Sequence, residues 1–80
     1  MENDKNKPSY EKRLGNIRLA VWENNTNGKL WHNAIVTRRY KQGEDWREVP
    51  TFNGLADLAL MAECVQYGKA WIAQRQDETQ

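Results

Sequence analysis

At eighty residues the chain has room for one small domain, and a domain of this size buries only about 60–65% of its unfolded surface, so it needs a dense core, a partner subunit, or both. Four tryptophans, three tyrosines and one phenylalanine supply part of that core, because one large ring buries on the order of 150–250 Å². The single cysteine, Cys64, leaves no disulfide framework and no thiolate zinc site; no stretch reads as a membrane span or a secretory signal, and a cytoplasmic location is the resulting expectation.

The net charge of +1 hides a segregation. From Gly15 to Asn53, Arg18, Lys29, Arg38, Arg39, Lys41 and Arg47 face Glu23, Glu44, Asp45 and Glu48. From Gly54 onward, Lys69 and Arg75 face Asp57, Glu63, Asp77 and Glu78. The first half is therefore basic and the second acidic, a balance that permits a nucleic-acid partner without demanding one.

Residues 1–13 are polar, carry Pro8 and show no periodicity; they read as a flexible N-terminal arm. Residues 14–75 read as a single β-β-β-α domain, and residues 76–80 as a frayed tail. The first strand, Gly15 to Asn24, alternates strictly. Ile17, Leu19 and Val21 fall on one face, Arg18, Ala20 and Trp22 on the other, which is the pattern of a half-buried strand. Asn27-Gly28 is a strong hairpin signal and makes the next strand an antiparallel neighbour.

The stretch Leu30 to Lys41 is the centre of the chain. Ala34, Ile35 and Val36 suit a pleated, half-buried surface. Both parities of this strand are amphipathic, and a bulge could switch them partway along; the favoured assignment turns Ala34 and Val36 inward and leaves Trp31, Ile35 and Arg39 outward beside Trp22. A second turn at Gln42 to Asp45 leads into a strand from Trp46 to Phe52, placed at an edge by Pro50, which cannot donate to a ladder.

Asn53 is a candidate N-cap for the one long helix, Leu55 to about Gln74. Its apolar arc is wide. Leu58, Met61, Val65 and Ile72 form a stripe assigned to the sheet, and Leu60, Cys64, Tyr67 and Trp71 form a second stripe beside it. A soluble monomer has little reason to expose such a patch, so the second stripe is assigned to a homodimer interface. Gly68 inside the arc points to a close approach by another backbone. The fold class is thus α+β: a three-stranded antiparallel sheet, or a four-stranded one, with a C-terminal helix packed on one face.

No constellation of residues reads as catalytic. His32 is the sole histidine, Cys64 belongs on a helix face as a small hydrophobe, and Glu44, Asp45 and Glu48 read as a solvated acidic turn. The glycines are dispersed, so there is no phosphate loop. No enzyme activity, cofactor or metal is expected. What remains is the outward sheet face, where Arg18, Trp22, Trp31, Arg39, Lys41 and Arg47 are the candidate nucleic-acid contacts. Bases of an unpaired strand can stack on rings while guanidinium and ammonium groups meet phosphates.

The run of Gly15-x-Ile17-Arg18, Trp22, Arg38-x-Tyr40-Lys41, Trp46, and Phe52 leading into Leu55-x-x-Leu58 resembles a group of small uncharacterised bacterial proteins. It is similar, more distantly, to the positive-cofactor-four type of transcriptional coactivator domain. That resemblance covers Gly15 to about Ile72. It implies a curved antiparallel sheet of four strands, a C-terminal helix that forms a dimer, and single-stranded nucleic acid bound on the sheet. Two other readings stay open. Three strands followed by a helix also resemble the plant ethylene-response and integrase arm-binding domains, in which the sheet reads duplex DNA. The third reading is a protein-interaction or structural module.

Overall fold

The computed structural model describes residues 7–78. Four strands run in chain order across one antiparallel sheet: β1 (Tyr10–Leu14), β2 (Ile17–Thr26), β3 (Lys29–Gln42) and β4 (Asp45–Val49). Helix α1 (Gly54–Glu78) follows and packs on one face. The sheet therefore has one strand more than the three that the sequence shows clearly. Four of the five residues of the added strand lie in the stretch read as a flexible arm; residues 1–6 of that arm fall outside the described residues.

β1 forms because Tyr10, Lys12 and Leu14 alternate with Glu11 and Arg13, and the inward set meets Val21, Leu19 and Ile17 of β2. Ser9 fastens the start of β1, its amide donating to the Val21 carbonyl at 2.7 Å while its hydroxyl accepts from the Glu23 amide at 3.0 Å. β2 and β3 hold one unbroken register from Ile17–Arg38 to Thr26–Lys29. Their two-residue connection has positive φ at both Asn27 (54°) and Gly28 (78°), the backbone that a tight right-twisted hairpin requires.

The register settles the two faces. Ile17, Leu19 and Val21 sit opposite Arg38, Val36 and Ala34, so Ala34 and Val36 share the helix-side face. The core is Ile17, Leu19, Val21 and Cys64, with Tyr10, Leu14, Phe52, Leu60, Trp71 and Ile72 among the partly buried residues packed on it.

The helix is rotated from the expected position. Cys64, at its centre, is fully buried against the sheet, its Sγ 4.0 Å from the Lys12 carbonyl. Burial pushes the Cys64 thiol up from its ordinary pKa, and the residue serves as a small apolar packing group. Leu58 and Val65, assigned from the sequence to the sheet, are exposed. The reason is size. Cys64 and the buried Gly68 leave a notch in the helix surface, and Leu19 fills it: a Cβ on Gly68 would stand 2.7 Å from Leu19 Cδ2. The close approach at Gly68 is made by a side chain of β2 rather than by another backbone.

Cys64 is fully buried and Leu60 and Trp71 are partly buried on the same core, so these three, expected at a dimer interface, pack within the chain itself. Tyr67 stays exposed, with the Lys12 ammonium 4.1 Å from its ring centroid. Among the described residues no helix is long and apolar enough to cross a membrane.

Both helix ends are tied down. At the N-terminal end the Asn53 amide donates to Asp57 Oδ2 at 3.0 Å, and Arg38 donates to the Thr51 carbonyl at 2.8 Å. At the far end Trp71 stacks on Tyr10 (centroids 5.2 Å apart, planes at 14°) and meets His32 edge-on at 5.8 Å. One turn on, Arg75 grips Glu23 through two hydrogen bonds of 3.0 and 3.1 Å. His32 lies under this end, its side chain only 4% exposed and its Nε2 3.6 Å from Glu23 Oε2.

The Arg75 guanidinium holds the Glu23 carboxyl below the ordinary glutamate range. A lowered folded pKa means that this contribution is complete above the unfolded value of about 4.3 and is lost as the pH falls through the lower folded value. Glu23→Gln should therefore cost about 1–2 kcal/mol at neutral pH. The difference from the parent chain should narrow toward pH 3. Urea denaturation of both proteins at the two pH values checks it, and a difference that does not change with pH would reject the ion pair as its source.

Candidate nucleic-acid interface

The face of the sheet away from the helix collects most of the residues singled out from the sequence. The register places Glu11 and Arg13 of β1, Arg18, Ala20 and Trp22 of β2, Trp31, Asn33, Ile35, Thr37, Arg39 and Lys41 of β3, and Trp46 and Glu48 of β4 on this side. Trp31 is 44% exposed, Ile35 46% and Trp46 58%. Trp22 is half-buried. Ala20, opposite Glu11 and Ile35 in the middle of the face, is fully buried.

Arg47 does not belong to this set. It pairs with Tyr40 and so has the parity of the helix-side face. Its neighbour Trp46 takes the outward place, opposite Lys41. The sequence carried the signal: a two-residue turn at Gly43-Glu44 sets Gln42 against Asp45 and fixes every position after it. The expected turn of four residues concealed that register. Arg39 leans over Trp46, its guanidinium carbon 5.0 Å from the ring centroid. Arg38, one residue earlier, faces the helix side and is occupied by Thr51.

The arginines of the outer face are not loose. Arg18 Nε bonds Glu11 Oε2, and Arg18 Nη1 lies 3.6 Å from Glu48 Oε1. Arg13 shares Glu11 at 3.0 Å, and Arg39 Nε stands 3.8 Å from Glu48 Oε2. The Arg18 guanidinium holds the Glu11 carboxyl below its ordinary range. Four cations (Arg13, Arg18, Arg39, Lys41) thus share the face with two carboxylates (Glu11, Glu48), a local surplus of +2. The carboxylates hold the guanidinium groups in place across three strands, and the exposed rings of Trp31 and Trp46 stand on either side. Such a surface can stack flat apolar groups and attract anions. Among the described residues no group of three or more His, Cys, Asp or Glu is placed to hold a metal ion.

In comparisons with known proteins, no family model, curated protein or solved structure matched the chain.

Proposed function

We propose that the chain is a non-enzymatic module that binds single-stranded nucleic acid on the outer face of its sheet. The observation that carries this reading is the division of the tryptophans. Trp22, Trp31 and Trp46 share one sheet face with Arg18, Arg39 and Lys41, whereas Trp71 alone is committed to the helix packing. A small domain whose aromatics served only its core would not turn three of its four largest rings away from the helix. Bases of an unpaired strand would stack on Trp31 and Trp46, and phosphates would meet Lys41 and the outer edges of the arginines. Four strands followed by a helix is also the order that the resemblance to coactivator domains implies.

The modest charge surplus sets the expected behaviour. Binding should be measurable at low ionic strength and should weaken steeply with salt, because each neutralised phosphate releases counterions. Tryptophan fluorescence during titration with a short single-stranded oligonucleotide tests this. Quenching that salt reverses supports the reading, and quenching indifferent to salt or absent at low salt rejects it. In competition, a duplex that displaces the single strand at equal concentration would shift the reading to a duplex-reading sheet.

Glu48 gives a prediction of opposite sign. It compensates Arg18 and Arg39 at once, so Glu48→Gln should tighten oligonucleotide binding and steepen its salt dependence by about one counterion. Filter binding at two salt concentrations reads both quantities. Weaker binding by the variant would show that the hold Glu48 keeps on the arginines outweighs the charge it cancels.

A further inference from the structure

The edges of the sheet are not treated alike. β1 carries Glu11, Lys12 and Arg13, and β4 carries Asp45, Arg47 and Glu48 with Pro50 just beyond it. Charges and proline are what keep an edge strand from pairing with another chain. β3 is the longest strand, and β4 covers it only from Arg38 to Gln42. On that side no described strand pairs with Lys29 to Thr37. From Leu30 to Thr37 this uncovered edge has no Asp, Glu, Lys or Arg, and it carries the exposed Trp31 and Ile35.

The backbone is turned to match. The Arg39 amide donates to Asn16 on the β2 side at 2.8 Å. Alternation along an unbroken ladder then directs the amides and carbonyls of Leu30, His32, Ala34 and Val36 away from β2, toward the uncovered side. Beneath the edge, on the helix side, Ala34, Val36, Val65, Gly68, Lys69 and Ile72 are among the residues lining a mainly apolar groove of about 140 Å³.

From this we infer that β3 pairs antiparallel with β3 of a second copy, joining two four-stranded sheets into one of eight strands. The occupant is a second copy because the segment is complementary to itself. The uncovered stretch Lys29–Thr37 has its midpoint at Asn33, and a twofold axis there sets Trp31 opposite the partner's Ile35. It also sets Leu30 opposite the partner's Val36 and His32 opposite the partner's Ala34. Every facing pair then shares a face, the outward-turned amides meet outward-turned carbonyls, and no like charges are opposed. Aromatic against β-branched is among the favourable cross-strand pairs, and a closed twofold contact is the commonest solution for small chains. Val65, exposed on the helix, lines the groove beside this edge, whereas Leu60, Cys64 and Trp71 pack on the chain's own core, so the pairing replaces the interface expected at those three residues. The inference does not depend on a nucleic-acid ligand.

Two variants test it. At micromolar concentration the parent chain should sediment with the mass of two chains, and Ile35→Lys, which places an ammonium beside the partner's Trp31, should sediment as one chain with an unchanged circular dichroism spectrum. Asn33→Cys brings two thiols together at the twofold axis, in a pair of the type whose Cα atoms stand about 4.5 Å apart. Mild oxidation should convert it to a covalent dimer, while the buried Cys64 of the parent chain stays free. A parent chain that sediments as a monomer overturns the inference. So does a dimer that fails to cross-link through Asn33→Cys, whether or not Ile35→Lys folds.

Discussion

Trp71→Ala should cost about 3–5 kcal/mol, close to the whole stability of a domain this small, and leave the chain largely unfolded at 37 °C. Trp71 closes the helix onto the sheet: it stacks on Tyr10, receives His32 edge-on and packs against the buried core. Removing the indole deletes those contacts together, and the two ring pairs contribute about 0.5–1.5 kcal/mol each beyond their burial. Trp71→Phe keeps an aromatic plane against Tyr10 and should recover part of the loss. Thermal melts followed by circular dichroism separate this account from the interface role expected from the helix pattern. An interface residue would give a folded protomer that only fails to dimerise. A melt for Trp71→Ala within a few degrees of the parent would contradict the packing described here.

Trp46→Ala should do the reverse: leave the melting temperature nearly unchanged and weaken oligonucleotide binding. Its ring is 58% exposed and supports no buried residue. A base-aromatic stack contributes about 1–3 kcal/mol, so the expected loss of affinity is about 5- to 150-fold. Trp31→Ala should lose a comparable amount. Trp46 is the cleaner of the two, because it lies on β4, clear of the uncovered β3 edge, and its effect on binding is read without a change in association. Titration of both variants beside circular dichroism spectra gives affinity and fold together. Unaltered affinity in both would remove the stacking role from this face.

Much of the fold was legible in the chain because the strongest local signals agree with one another. Ile17, Leu19 and Val21 alternate without interruption and Asn27-Gly28 marks the hairpin, whereas both parities of β3 are amphipathic and the register with β2 decides between them. β1 was hidden because its inward positions include Lys12, whose side chain runs to the Tyr67 ring, and three successive charges read as solvated coil. The rotation of the helix was hidden for a different reason. Hydrophobic pattern weighs bulk, and Leu58, Val65 and Ile72 outweigh Cys64 and Gly68. The sheet instead takes the notch at Cys64 and Gly68, which admits Leu19, with Leu60 and Trp71 packed beside it. The outward face was legible at Arg18, Trp22, Trp31, Arg39 and Lys41. Arg47 was placed outward and Trp46 was given no face, because a two-residue turn fixes a parity that an approximate turn leaves open. The carboxylates that hold the arginines, Glu11 and Glu48, come from two strands far apart in sequence, and nothing local announces that they meet Arg18.

A ligand held on the outer sheet face should leave the helix side untouched. The four tryptophans report this directly, since each indole N–H gives its own signal in a nitrogen-15 correlation spectrum. Addition of a short single-stranded oligonucleotide at low salt should move the signals of Trp31 and Trp46, and that of Trp22 beside them, while Trp71 stays in place. Signals that remain fixed up to millimolar oligonucleotide, or a Trp71 signal that moves while those of Trp31 and Trp46 do not, would contradict the account.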